Sequence, residues 1–513
     1  MKYKTTGILL ACLMIVCALA ASAAEQNSGT NRYHQHRDAP VPSEPCTCSG
    51  TELCTHLPIL RIDTGGLEIP GNPITGGPGN HVVGYTTTQS GESEILVTLE
   101  TVEAEGAWHH ASDPASQSAA ALFRIRGNSS RFFTKKNYRI KLVDSESTSE
   151  SLDLPLLGMN PDNDWALHGP FLDKTLIRNY MWMNLSAEIM GYAPNVRFCE
   201  VILDGEYMGV YVLMETIKES EYRVDLSDYE PGSAVGSYLL RLDIAKDEGL
   251  SGSHNPALYN YTWYTHQTEF SEIRRTGFQV LYPNAAVITS EVTDFIQRDI
   301  SQIERGLYSS DMVQGRYDYA SAIDVDSFVD YYILQEFLAN NDAFARSTYF
   351  YRDIRGKLHI GPVWDYNNVL NNFFQTLSRR GFLLANRGWY GRLMTDERFV
   401  TQVITRYRQL RSGILSDESL VQYIDDVIAY LGPAIERNDS VWGYSYDASL
   451  LHPEERRIPD EVETLEEVNP SSYEEAVGWM EGYMLARGAW MDEHIEDLLQ
   501  YCHPSKTASQ RVE

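Results

Sequence analysis

Two aspartates are placed where they could do chemistry, Asp342 and Asp365. Asp342 follows a run whose apolar positions, Phe328, Tyr331, Tyr332, Phe337 and Leu338, recur at helical spacing. Asp324 or Asp326 is positioned to cap that helix. The run gives out at Asn340-Asn341, and the acid lies just beyond. A β-hairpin pattern follows: a strand from Thr348 to Arg352, a turn at Arg355-Gly356, and a strand from Leu358 to Val363. The second strand delivers Trp364-Asp365-Tyr366-Asn367-Asn368. This order of helix, acidic loop, hairpin and acidic loop can bring two carboxylates to one point. Phosphoryl transfer uses such a pair: one carboxylate orients or deprotonates the acceptor hydroxyl, and the other holds Mg²⁺ against the β- and γ-phosphates. Glycoside hydrolysis also needs two carboxylates at a defined separation, but no motif of this chain supports it.

The elements around the pair read as follows. Leu57 to Leu99 is strand-like, interrupted by Gly/Pro turns. Ala121 to Arg126 and Lys135 to Val143 are strands joined by Gly127-Asn128-Ser129-Ser130. Asp144 to Ser151 is Ser/Glu-rich and reads as an exposed loop. Leu176 to Met190 has helical periodicity and stops at Gly191. Val201 to Leu203 and Glu206 to Leu213 form a hairpin around Asp204-Gly205, a pair that accepts the positive φ of a type I′ turn. Residues 245–320 are less legible. Beyond Phe382 the pattern is helical, with helices expected at Asp396 to Leu410, Leu420 to Arg437 and Tyr473 to Leu499.

Several short motifs in order give a resemblance. They are Arg126-Gly127-Asn128-Ser129-Ser130 with Lys135-Lys136-x-Tyr138-x-Ile140-Lys141; Trp165-x-Leu167 with Asp173-Lys174-Thr175-Leu176-x-Arg178-Asn179; Asp204-Gly205-x-Tyr207-x-Gly209-x-Tyr211-x-Leu213-x-Glu215; Asn341-Asp342; and Pro362-x-Trp364-Asp365. Together the chain resembles the CotH (spore-coat protein H) kinase-like family over roughly residues 57–500. The resemblance implies an α+β, atypical protein-kinase-like two-lobed fold, β-rich in its N-terminal region and mainly helical in its C-terminal region. It implies binding of ATP and Mg (or Mn) and phosphorylation of Ser or Thr in a protein substrate. Residue by residue, Asp342 becomes the catalytic-loop aspartate and Asp365 the metal-binding one. The turn with Arg126 and Asn128 lies by the phosphates. Lys141 approaches the phosphates, with Lys136 as its rival. Glu215 lies near the nucleotide, and Trp364 or Tyr211 stacks on adenine. Ser347 and Asn367 complete the metal shell as weak ligands, because members usually carry Asn and Asp at these positions. The alternative is a degenerate member that binds nucleotide or a partner in surface or coat assembly without catalysis.

The 513-residue chain carries a formal charge of −29. That field repels nucleic acid, so no nucleic-acid partner is expected. A Ser-containing, basic protein substrate would be attracted. Lys2 and Lys4, the apolar run Gly7 to Ala20 and Ala21-Ser22-Ala23 read as a cleaved secretory signal over 1–24. A secreted or cell-surface protein with no membrane span follows, with a lipoprotein the lesser option. Residues 25–56 then read as a polar, Cys-containing linker, 57–115 as a β-rich segment, 116–500 as the kinase-like domain and 501–513 as a tail. Five cysteines remain after the signal, Cys46, Cys48, Cys54, Cys199 and Cys502. Disulfides are the default for an exported chain. The run Cys46-x-Cys48-x5-Cys54-x-His56 alternatively offers three sulfurs and an imidazole to zinc.

Overall fold

A computed structural model of the chain describes residues 32–50, 52–76, 81–244, 258–260, 276–309, 318–372, 378–452, 455 and 467–503. The signal sequence and the aromatics Tyr261, Trp263 and Tyr264 lie outside the described residues. No described helix is long and apolar enough to cross a membrane.

The strands in chain order are β1 (Cys54–Thr55), β2 (Ile59–Asp63), β3 (Pro73–Gly76), β4 (His81–Tyr85), β5 (Ile95–Val102), β6 (His109–His110), β7 (Gln117–Arg126), β8 (Asn137–Val143), β9 (Asp164–His168), β10 (Val196–Leu203), β11 (Glu206–Glu215), β12 (Tyr238–Ile244), β13 (Leu258–Asn260), β14 (Thr276–Tyr282), β15 (Thr348–Arg352) and β16 (His359–Ile360).

Seven strands close a barrel in the order β10-β11-β9-β8-β7-β5-β2. An odd number of strands cannot alternate direction all the way round, so one neighbouring pair must run parallel. That pair is β2 with β10, where Leu60 faces Val201; the other junctions are antiparallel. Side chains alternate across each strand. Leu60, Val97, Leu99, Phe123, Ile125, Tyr138, Ile140, Trp165, Cys199, Val201, Tyr211 and Leu213 therefore fill the interior. β10 and β11 are buried on both faces. Phe198, Val210 and Val212 on their outer side join the main core with Tyr180, Met181 and Trp182 of the helix Arg178–Met190. The tight turn between these strands has φ of 49° at Asp204 and 83° at Gly205, as the Asp-Gly pair predicts.

The β-rich N-terminal half and helical C-terminal part match the expected mixture of α and β. Within the β-rich segment, β2 and β5 are staves of the barrel itself. The C-terminal part also holds an antiparallel sheet, β13-β14-β12-β15-β16. Its helices include Ser290–Tyr308, Val325–Phe337, Glu397–Arg411, Asp417–Leu431, Pro433–Trp442 and Tyr473–His494. The single helix expected from Leu420 to Arg437 is broken at Gly432-Pro433, where φ of Gly432 is 46° and the proline lacks an N–H for the preceding turn.

Candidate functional site

The Asp342 loop is fixed by the end of one helix. Asp324 caps Val325–Phe337 by accepting from Ser327 N at 2.9 Å. Beyond the helix, Ala339 takes φ of 49° and turns the chain. Asn340 then works in both directions: its Oδ1 accepts from Asp342 N at 3.1 Å, and its Nδ2 donates to Gln335 Oε1 at 2.7 Å. Arg387 clamps the outside of the loop, donating to the carbonyls of Asn341 at 2.6 Å and Ala343 at 3.2 Å. Arg346 donates to the Asp342 carboxylate at 3.1 Å.

The Asp365 loop hangs from the same helix by a second route. Gln335 Nε2 donates to Tyr366 Oη at 2.8 Å, and Tyr366 N donates to Asn179 Oδ1 at 2.8 Å. Arg178 adds a bond from Nε to the Val369 carbonyl at 3.2 Å. Arg178 is held in turn by Asp173, whose Oδ1 accepts from its Nη1 at 2.6 Å and whose Oδ2 accepts from its backbone N at 2.8 Å. The Asp173-Lys174-Thr175-Leu176-Ile177-Arg178-Asn179 motif is thus a bracket for the Asp365 loop. Asp365 itself has φ of 68° and ψ of 58°, a left-handed conformation that Asp tolerates better than most residues.

The structure brings Asp342, Asp365, Arg126 and Trp364 together. Asp365 keeps an exposed surface, but protein packs densely around its carboxyl. Loss of hydration to that surrounding chain and then the neighbouring charge of Asp342 push the carboxyl up to about 7, against the pull of Arg126 and with a further push from Asp243. Asp342 is raised by burial too, opposed first by Arg346 and pushed again by Asp243. Arg126 lies 5.4 Å from the Trp364 ring centroid, a cation–π distance. Its guanidinium is lowered by burial while Asp164, Tyr349 and Asp365 favour its charge. Two buried polar atoms here have no hydrogen-bond partner among the described residues, Arg126 Nη1 and Asn367 Oδ1. The first is a donor fit for an anion and the second an acceptor fit for a cation.

Sequence reasoning missed Asp243. Leu242 of β12 faces Thr348 of β15 at the end of their ladder, and Asp243, the next residue, is placed where its charge bears on both Asp342 and Asp365. The alternating run Leu240-Arg241-Leu242-Asp243-Ile244 is the signal that marks it as a strand residue. Ser347, just ahead of β15, takes φ of 46°.

Other expected residues are placed elsewhere. Tyr211 is fully buried inside the barrel, with its ring 5.1 Å from Lys135 Nζ. Strand alternation sends it inward, so it has no face for adenine. Glu215 is also fully buried, accepting from Asn195 N at 2.8 Å, Asn195 Nδ2 at 3.0 Å and Tyr192 Oη at 3.4 Å. It ties the turn before β10 to the end of β11. Lys136 donates to the Arg131 carbonyl at 2.6 Å. Lys141 faces Asp164 across the β8–β9 ladder, whereas Arg126 is level with Asn137. The four steps along β8 from Asn137 to Lys141 separate those levels by about 13 Å. Asn128 is exposed, preceding the short 3₁₀ turn Ser129–Phe132. Gly127 has φ of 109°, a conformation that strains an L side chain, and a Cβ there would force the Ser130 hydroxyl, at 1.9 Å, to turn away.

A search of curated proteins finds no match to the chain. The family model described as CotH kinase protein matches residues 123–491. That span starts inside β7, takes in both aspartate loops and the bracket that holds them, and covers most of the chain: the protein belongs to the CotH kinase family.

Proposed function

We propose that the cleft between Arg126 and the two aspartate loops transfers the γ-phosphate of ATP to Ser or Thr of an exported or surface protein. The observation that carries this reading is the approach of Asp342, Asp365 and Arg126, with Arg126 Nη1 unsatisfied among the described residues; Asn367, two residues beyond Asp365, carries a second unsatisfied atom, Oδ1. In this reading the barrel serves as the nucleotide-holding lobe and the helical part as the second lobe. Asp365 and Asn367 would hold Mg²⁺ or Mn²⁺, with Ser347, Asp243 and water completing the shell. The residues fit such an ion, because a site of crowded carboxylates and an orphan carbonyl gains from a divalent charge. The bound metal would draw negative charge off the phosphates. Arg126 binds phosphate oxygens, and Trp364 braces its guanidinium. Asp342 accepts the hydroxyl proton of the acceptor. Family membership supports a coat or surface setting, and the acidic chain favours a basic, Ser-containing substrate.

One observation favours a second reading, a nucleotide- or partner-binding protein without turnover. Arg346 already engages the Asp342 carboxylate, and Ser347 and Asn367 are weaker metal ligands than the Asn and Asp usual at these positions.

The test is incubation of the purified chain with γ-labelled ATP, Mg²⁺ or Mn²⁺ and a basic, Ser-rich acceptor, beside Asp365→Ala. Label that depends on Asp365 supports the transfer. Equal label in both proteins rejects it, and nucleotide binding without label selects the second reading.

A further inference from the structure

A cluster lies outside the family-matched region and outside the cleft. Cys46, Cys48, Cys54 and His110 place one ligand atom each so that all four are within 4.8 Å of one another. We infer that these four residues hold one structural zinc ion.

The placement follows from the fold. β1 pairs with β6 so that Cys54 stands directly opposite His110. The preceding loop folds back over this pair and sets Cys46 Sγ at 3.2 Å from His110 Nε2. Two ties outside the cluster hold the loop there: Trp108 Nε1 donates to the Glu44 carbonyl at 2.8 Å, and Ser112 N donates to Glu52 Oε2 at 3.1 Å. Around a tetrahedral zinc with bonds of about 2.3 Å to sulfur, neighbouring ligand atoms stand about 3.8 Å apart. Small side-chain shifts take the observed cluster to that spacing.

The surroundings are those of a ligand set. His110 Nδ1 donates to Asp113 Oδ2 at 3.2 Å, and the same carboxylate oxygen accepts from His110 N at 2.8 Å. A carboxylate on the far ring nitrogen fixes the tautomer that leaves Nε2 free to bind metal. Cys48 N donates to Cys46 Sγ at 3.4 Å, a contact that steadies a thiolate. Three sulfurs and one nitrogen make a closed, four-ligand site without a position for substrate, which assigns it a structural role.

The imidazole is not the one that sequence spacing suggests. His56 follows Cys54 closely, but the chain bends after β1 and its ring packs on Tyr430 with centroids 4.9 Å apart. His110 is far off in sequence and reaches the cysteines only through strand pairing. None of the five described cysteines is in a disulfide, and an odd group of three thiols is better accounted for by one metal than by one bridge.

The full-length chain, purified under reducing conditions with Zn²⁺ supplied, should carry one zinc per chain by elemental analysis. Replacement by Co²⁺ should give thiolate-to-cobalt charge transfer and the intense d–d bands of a tetrahedral site. Asp113→Asn should weaken zinc binding about tenfold or more, His110→Ala should abolish it, and His56→Ala should leave it unchanged. Should a variant not fold, alkylation of the unsubstituted chain decides: zinc must protect Cys46, Cys48 and Cys54 together, and a chelator must expose them together. The inference is overturned by a chain without zinc, by zinc that follows His56 instead of His110, or by a disulfide between any two of the three cysteines in the zinc-supplied chain. None of these outcomes depends on phosphoryl transfer.

Discussion

Two charged regions of this molecule make a useful pair. One is the buried ion pair Glu336–Arg487, both side chains 0% exposed. The other is the cleft of Arg126, Asp342 and Asp365. In the first, nearly every valence is filled. Arg487 donates to the Glu336 carboxylate and carbonyl, each at 2.9 Å, and to the carbonyls of Arg379 at 3.2 Å and Gly381 at 2.7 Å. Glu336 also accepts from Leu383 N at 2.9 Å and Leu384 N at 2.5 Å. In the second, a guanidinium nitrogen and an amide oxygen have no hydrogen-bond partner among the described residues. Charges that hold the chain together are saturated by the chain. Charges that are left partly unanswered mark where another molecule is expected.

Arg487→Met leaves a buried carboxylate without its counter-ion and should cost about 3–5 kcal/mol, read as a lower denaturation midpoint. The same change should leave any transfer activity per folded molecule intact. Asp365→Asn should do the reverse, lowering phosphate transfer by about a hundredfold to a thousandfold while keeping the fold.

The pH dependence sharpens that contrast. The Asp365 carboxyl is held up at about 7 in the folded protein, so the folded state binds this proton more tightly than the unfolded chain does. Its contribution to stability is full below about pH 4 and is lost as pH rises through about 7. Without added metal, Asp365→Asn should match its parent in acid and exceed it in stability at about pH 8. Paired denaturation curves at the two pH values measure this.

Smaller effects come next. Arg126→Met removes one charged donor to phosphate and should weaken nucleotide binding about tenfold to a hundredfold, measured by calorimetry. Tyr211→Phe removes a buried hydroxyl that has no partner among the described residues and should leave stability unchanged or raise it by about 1 kcal/mol. Nucleotide affinity should stay the same, because the ring is inside the barrel. A large loss of affinity in that variant would contradict the placement of Tyr211.

What the sequence revealed was local. The Asp-Gly turn, the Asp324 cap, the Gly191 stop and the two acidic loops all follow from residues a few positions apart. The break at Gly432-Pro433 was passed over, although glycine followed by proline is a local helix stop, because the apolar periodicity runs on through it. The remainder depends on pairing across the chain. Barrel closure rests on a parallel contact between β2 and β10, and Glu336 meets Arg487 only after the C-terminal helix packs. Asp243 reaches the site through the register of β12 with β15, and His110 reaches the cysteines through β1 with β6. Tyr211 and Glu215 sit in a motif read as functional, but the alternation of β11 and its burial on both faces turn them to scaffold use.

The parallel junction of β2 with β10 has one further consequence. The family match begins at residue 123, beyond β2, β5 and the first half of β7. A chain started at that residue would keep β8 to β11 but lose the staves that close the ring. β10 would then be an open sheet edge, with backbone N–H and C=O groups unpaired and apolar barrel lining exposed beside them. Edges of that kind recruit other strands. The shortened chain should aggregate, whereas one begun ahead of β2 keeps a barrel without edges.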